Sequence, residues 1–528
     1  MSMNENNQEP TDFLYGAAVQ GIQGFIFQTN ELRDIVGASE LVANVCTNLF
    51  NEVLETCGVK RVEENAIVMA AGNIKYIFDN EDDCKAVVRV FPKTVMEYAP
   101  GITISQAVVK YNPNDKDAFA KAVNKLETKL RTQRNKPMRD ITIGLMGIER
   151  SRQTGLPVTN IVKDQHLDYG TYRKLYTKQG EERKNTTQEL CDKAFGGNVN
   201  KGLIPFDIEK ITGLNDWIAI IHADGNGLGQ VVQKVGGDPQ KLRQFSKKLD
   251  VATTNAAVKA FEDVMEVTPL KEGDKIPVRP IVLSGDDHTL ICRADLAMRY
   301  VKAFIEEFKT ETKILLGNSN GEQPEGNLLK DVFKGGENYL SVCAGIAFIK
   351  SSYPFYYGYQ LAEALCDRAK KDTKALYNAN NGNLPASCIM FHKVQDSFIT
   401  IYDDIVKREL TPQSDISFEF GPYYINAAPN DRWTLENLVD DKSLELEKED
   451  MRPVKTGLRN WLSLIHINPE MARQRLDRLR YISGKDNYID EVTKLREEGG
   501  KKIYPVYDIL AINAVKTKET KKKKETTK

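Results

Sequence analysis

The stretch Ile281 to Cys292, IVLSGDDHTLIC, sets two adjacent carboxylates, Asp286 and Asp287, between two short apolar runs. Runs of this length flanked by turn residues read as strands joined by a hairpin. An Asp pair at a hairpin tip is ordinary turn chemistry when it stands alone. Its meaning depends on what the fold brings beside it.

Upstream, WIAIIHA (217–223) reads as a buried strand that DGNGLGQ breaks. KLRQFSKKLDVATTNAAVKAFEDVM (241–265) carries apolar residues at helical spacing. VRPIVL (278–283) and HTLIC (288–292) are the hairpin strands, and ADLAMRYVKAFIEEFK (294–309) is a second amphipathic helix. Past a Gly/Asn-rich insertion at about 316–338, YLSVCAGIAFIK (339–350) is a fourth strand and YGYQLAEALCDRAKKDTK (357–374) a further helix. The order βαββαβ is the ferredoxin-like split βαβ unit. A fainter copy precedes it: FLYGAAVQ, a helix in GASELVANVCTNLFNEVLE starting near Ser39, AIVMAAGNIKYIF, CKAVVRVFPKTVMEY, ITISQAVVKY and DAFAKAVNKLETKLRTQ. Where the second copy has Ser284-Gly285-Asp286-Asp287, the first has Ala70-Ala71-Gly72-Asn73.

In such a sheet the first and third strands are the central pair. The end of the first strand, Asp224, therefore lies beside the hairpin, and three carboxylates share one small volume. Uncompensated, they repel unless some protonate. A divalent cation resolves the conflict, because Mg²⁺ takes oxygen ligands and is shared between one or two carboxylates and substrate phosphates. Two such ions serve to activate a ribose 3′-hydroxyl and stabilise a pyrophosphate leaving group. Gly225, Asn226, Gly227 and Gly229 form the strand-to-helix turn, which permits close backbone approach and offers helix N–H groups to phosphates. Lys370, Lys371 and Lys374 are candidates for triphosphate contacts or simply a solvated helix end. Ser284, beside Gly285, either touches a base or tightens the turn. His222 and His288 flank the cluster and read as satisfied core histidines rather than ligands.

The chain of 528 residues exceeds one ordinary core. Its boundaries are expected at 1–140, 141–210 (a basic connecting segment), 211–395, 396–515 (a C-terminal helical domain) and 516–528, a Lys/Thr tail expected to be disordered. The 73 basic and 74 acidic residues nearly cancel, so there is no global nucleic-acid signature. Basic charge is local, at 131–139 and 171–184. Eight scattered cysteines without a C-x-x-C pair read as reduced thiols, and neither a spanning segment nor a secretory leader is visible. The expected location is cytoplasmic, with no membrane partner.

The residues WIAIIHADGNGLG, IVLSGDDHTLIC, YLSVCAGIAFIKSSYPF and LAEALCDRAKKDTK together resemble the second palm domain of the large subunit of type III CRISPR effector complexes. That family is related to GGDEF-type nucleotide cyclases and polymerase palms. VQGIQGFIFQTNELRDIVGASELV is similar to the opening of its degenerate first palm, and PYYINAAPNDRWTLENLVDD to its C-terminal helical domain. The resemblance implies an α+β fold of two ferredoxin-like palm domains plus a helical domain. It further implies ATP as substrate, Mg²⁺ or Mn²⁺ as cofactor, and synthesis of cyclic oligoadenylate messengers in antiviral defence. Asp224, Asp286 and Asp287 would be the catalytic metal-site residues, and guide or target RNA and other CRISPR effector subunits the partners. Three departures stand out. The chain opens almost directly on the palm, so cleavage by an HD nuclease domain is not expected. IERSRQTGLPVTN lacks the cysteines of the family's zinc site, and the usual GGDD reads SGDD. The competing reading is a catalytically silent scaffold that binds nucleotide and, through the basic segments, RNA. A templated polymerase is disfavoured by the lack of separable fingers or thumb.

Overall fold

A computed structural model describes residues 11–70, 72–136, 147–183, 186–197, 199–212, 216–317, 327–395, 401–429 and 431–516. The tail from 517, residues 137–139 of the first basic segment and residues 318–326 of the 316–338 insertion lie outside these residues.

The first unit runs β1 (Asp12–Gln20), α1 (Ile22–Ile26), α2 (Leu32–Val45), α3 (Asn48–Thr56), β2 (Ala66–Ala70), β3 (Asn73–Phe78), α4 (Glu81–Tyr98), β4 (Thr103–Tyr111) and α5 (Ala118–Arg134). Its sheet has the order β2-β3-β1-β4, antiparallel throughout, which is the ferredoxin-like arrangement. Helix α4 starts on a side-chain cap, Asn80 accepting from the Asp82 N–H, with Glu81, Asp82 and Asp83 in its first turn. Helix α2 begins at Leu32, seven residues before the expected start at Ser39. Ser39 is internal and buried, and its hydroxyl donates to the carbonyl of Ile281.

The connecting segment holds a hairpin, β5 (Val158–Val162) and β6 (Gln165–Asp168), then α6 (Tyr169–Leu175) and α7 (Thr186–Phe195). Within the basic stretch at 171–184, two of the cations point inward. Arg173 and Lys174 are 2% and 1% exposed. Lys174 Nζ donates to Phe25 O at 2.9 Å and Gln28 Oε1 at 3.0 Å, and Arg173 lies over the Tyr98 ring. A buried cation needs such partners, and these two spend their charge inside the protein.

The second unit runs β7 (Trp217–Asn226), α8 (Leu228–Val235), α9 (Pro239–Val267), β8 (Val278–Ser284), β9 (Asp287–Arg293), α10 (Ala297–Leu315), β10 (Ser341–Lys350), α11 (Phe355–Leu376) and β11 (Cys388–Lys393). Strand β7 continues three residues past Ala223 rather than breaking at Asp224. The sheet order is β13-β11-β10-β7-β9-β8. The four strands β10-β7-β9-β8 repeat the ferredoxin-like order. Strand β11 adds in parallel beside β10 through the α11 crossover, and the two-residue β13 (Tyr423–Tyr424) closes that edge. Ile218, Ala219, Ile220 and Ile221 on β7 and Val342 through Ile349 on β10 are almost wholly buried, as strands covered on both faces should be.

Beyond 396 the chain is mostly helical: α12 (Tyr402–Arg408), α13 (Arg452–Leu464), α14 (Pro469–Ser483), α15 (Asp486–Thr493) and α16 (Val506–Val515). A small sheet of β12 (Ile416–Ser417), β14 (Arg496–Glu498) and β15 (Lys501–Ile503) interrupts it. The chain is thus α+β, with two ferredoxin-like palms and a helical C-terminal region. Among the described residues no helix is long and apolar enough to cross a membrane, and all eight cysteines are free.

Candidate active site

Strand register assembles the acidic cluster. Strand β7 pairs Ala223 with His288 on β9, so Asp224 follows beside Asp287 at the hairpin end. The hairpin turns on Gly285, φ +65°, and Asp286, with Ser284 paired to Asp287. Glycine with positive φ is what the first central position of a two-residue hairpin favours. The tip then lies down on Gly225. A Cβ built there would meet Leu228 Cδ1 at 2.4 Å and Asp286 Cβ at 3.1 Å, so only glycine admits this approach.

The result is that the Asp224 and Asp286 carboxyls lie side by side. Burial and the neighbouring Asp224 charge push Asp286 up, to about 7. Burial, again with Asp224, also pushes Asp287 up to about 7 against an opposing hydrogen bond from Thr289. Burial acts the same way on Asp224, but the Lys370 ammonium beside it outweighs that and holds its carboxyl below the usual range. Lys370 bridges to Asp224 Oδ2 and donates to Gly225 O at 3.0 Å. It is thus an anchor of the strand end.

The other expected residues fall into two groups. Ser284 and Asp287 line a cleft of about 930 Å³ between the two units. Its opposite wall includes Gln23, Asn44 and Arg61 of the first unit, with Lys247 from α9. Gly227, φ +77°, caps α8 with its Cα against the Phe333 ring, and Gly229 faces open space. Asn226, by contrast, does not reach the cleft. It is 1% exposed and donates to Ser341 Oγ and Cys343 Sγ, both at 3.2 Å, tying β7 to β10. Lys371 and Lys374 are exposed on α11 and do not line the cleft either.

The two histidines are core residues, as expected. His288 is 1% exposed, with Nδ1 3.1 Å from Val282 O and Nε2 2.8 Å from the Tyr300 hydroxyl. A carbonyl only accepts, so Nδ1 carries the proton and Nε2 accepts from Tyr300. Burial lowers this ring to about 4. His222 pairs with Thr289 Oγ1 at 2.9 Å.

Sequence reading missed Tyr359 and Glu363. Tyr359 lines the cleft, and Glu363 accepts from Gln23 of the first unit. Both act electrostatically on Asp287 or are acted on by it. Tyr359, Glu363 and Lys370 recur at spacings of four and seven along α11, a helical face that was visible in principle.

Among the described residues no group of three or more His, Cys, Asp or Glu side chains is gathered closely enough to ligate one ion. The donors fit a site of a different kind. Mg²⁺ takes one or two carboxylates and keeps water and phosphate oxygens for the rest. Asp224 and Asp286, side by side where the hairpin tip meets the end of β7, are such a pair.

Residues 217–377 match the family model described as Cas10/Cmr2, second palm domain. Solved structures with the same fold include the Csm1–Csm4 cassette in complex with cA3, at 13% identity and a TM-score of 0.55 over 97% of this chain and 70% of that one. The same cassette in complex with pppApApA gives 14% and 0.56, with the same coverage. Csm1 in T.onnurineus gives 14% and 0.52, again covering 97% and 70%. At these identities the likeness is one of fold. No curated protein sequence matches the chain.

Proposed function

We propose that this chain, whose residues 217–377 match the Cas10/Cmr2 second palm family model, is a nucleotidyltransferase that converts ATP to cyclic oligoadenylates. The carrying observation is the convergence of Asp224, Asp286 and Asp287, two of them displaced toward neutral pH by burial and mutual charge, with Asp287 lining a cleft between the units. Strongly perturbed acids in a cleft mark functional sites more often than structural ones. Solved relatives hold ATP and cyclic oligoadenylates, which supports adenine nucleotides as the ligand class.

The reaction is in-line attack of one nucleotide's 3′-oxygen on the α-phosphorus of another. The new P–O bond forms as the bond to pyrophosphate breaks, and the hydroxyl proton is lost. A divalent cation bound at Asp224 and Asp286 would supply charge neutralisation at the phosphates and acidify the attacking hydroxyl. The chain's own residues do the positioning. Lys370 fixes the Asp224 carboxylate, Gly225 lets Asp286 reach it, and Asp287 with Ser284 edges the cleft. Arg61 and Lys247 line the cleft wall, where both pair with Glu63, and would exchange that partner for phosphate groups. Catalysis of phosphoryl transfer is mostly such positioning and electrostatics.

Incubation with labelled ATP and Mg²⁺ or Mn²⁺, with and without RNA, tests the assignment. Cyclic products from wild type and none from Asp286→Ala/Asp287→Ala are expected. Undiminished product from that variant defeats it. The scaffold reading predicts ATP binding without turnover, and two of the cations it relied on for RNA, Arg173 and Lys174, are buried.

A further inference from the structure

We infer that Lys193 and Asp250 are positioning residues for the acidic hairpin: their ion pair, made between the connecting segment and α9, holds the Gly285 amide and so sets where Asp286 stands. The effect on rate rests on the function proposed above; the effect on the hairpin does not.

Both backbone polar groups of Gly285 are held by side chains of one helix. The Gly285 N–H donates to Asp250 Oδ1 at 3.2 Å, and Gly285 O accepts from Thr253 Oγ1 at 2.5 Å, a hydroxyl shared with Leu249 O at 2.9 Å. Asp250 and Thr253 lie three apart on α9, hence on one face. The Asp250 carboxylate is fixed in turn by Lys193 of α7, whose Nζ stands 2.9 Å from each oxygen. The same ammonium donates to Leu283 O at 3.1 Å. Lys193 therefore grips the end of β8 directly and the turn through Asp250, one on each side of Ser284.

A two-residue turn ending an edge strand has few constraints of its own. Here its tip must lie flat on Gly225 for Asp286 to meet Asp224, within about 3.2 Å of the space above Gly225. The first unit manages its tip differently: Gly72 O accepts directly from the Val19 N–H at 2.8 Å, backbone to backbone. The side-chain brace is found where the acids are. Lys193 and Asp250 keep about a third of their side-chain surface exposed, so neither is a core packing element.

The test compares Asp250→Ala, Asp250→Asn, Lys193→Met and the double variant Lys193→Met/Asp250→Ala. Asp250→Ala is expected to lower kcat for ATP turnover about 10- to 100-fold, as small displacements of reacting groups do, while KM for ATP stays within about twofold. Asp250→Asn keeps an acceptor for Gly285 and should recover most of the loss. The double variant should be no worse than the more damaged single, because both act through one contact. A readout independent of turnover is hydrogen–deuterium exchange by mass spectrometry. Peptides spanning 281–290 should exchange faster in Asp250→Ala, with peptides from β10 unchanged. Wild-type kcat together with wild-type exchange at the hairpin overturns the inference. So does faster exchange throughout the sheet, which would make the pair a general stabiliser. If Asp286→Ala/Asp287→Ala proves as active as wild type, the proposed function fails instead, and the exchange result still judges the brace.

Discussion

By register, the first-unit positions that correspond to Asp224, Asp286 and Asp287 are Ala18, Gly72 and Asn73. Both units have the same four-stranded order, and both hairpin tips lie against the end of the central strand. One does so with no acid, the other with three. The first unit shows that the fold closes without them, through a backbone hydrogen bond from Val19 to Gly72 and apolar packing of Ile22. Crowded, desolvated carboxylates weaken a structure unless something neutralises them. Their presence in one copy alone therefore argues for chemistry rather than architecture.

Four experiments press on that contrast. The largest effect is expected from Asp286→Ala/Asp287→Ala, which makes the second unit resemble the first. Product formation should fall by about a thousandfold or more, with the circular dichroism spectrum unchanged. Next is Gly225→Ala, whose methyl must displace Leu228 or the hairpin tip. Activity should fall about 100-fold and stability by about 1–3 kcal/mol in denaturant titration. Gly72→Asp puts an acid into the first unit at the position of Asp286. Gly72 has φ +74° and its Cβ would meet Ile22 Cδ1 at 2.5 Å. A loss of about 1–3 kcal/mol is expected, with no gain of product. An unaffected melting temperature would mean the first hairpin is as accommodating as the second.

The smallest effect concerns a buried acid that the first unit does keep. Asp34 is 3% exposed, accepts from Thr29 Oγ1 at 2.8 Å, and is pushed up by burial to about 6. Its folded pKa exceeds the ordinary aspartate value of 3.8, so between roughly pH 4 and 6 the folded state binds more protons than the unfolded one. Its contribution to stability is therefore full below pH 4 and lost as pH rises through 6. Asp34→Asn removes this term. The melting temperature of the variant relative to wild type should climb from pH 4 to pH 6 and then level off, with product formation unaltered. A flat difference across that range would show that Asp34 ionises as freely as in water.

Much of this was readable in the residues. Alternating and helical apolar spacing reveal βαββαβ, and the rule that its first and third strands are central places Asp224 beside the hairpin. The rest failed for identifiable reasons. Gly37 looks like a helix boundary, yet it sits inside α2 because a Cβ there would strike Lys174 O at 2.1 Å, where α2 meets α6. Arg173 and Lys174 look solvated because charge implies exposure on average, whereas Phe25, Gln28 and Tyr98 receive them. Strand β13 has two residues, too few for any period to show. Among three lysines at the end of α11, nothing in the spacing distinguished Lys370 as the partner of Asp224; that took the third dimension.

The hydroxyl of Ser39 has one more implication. Strand β8 is the outer strand of the six-stranded sheet, and its Ile281 carbonyl is met by Ser39 from α2 of the other unit. A sheet edge with unmet carbonyls is a template onto which another chain can add, and proteins cover such edges. The unit whose hairpin carries no acids thus shields the margin of the one whose hairpin does from strand addition. A copy without the acidic triad keeps its neighbour's sheet from growing.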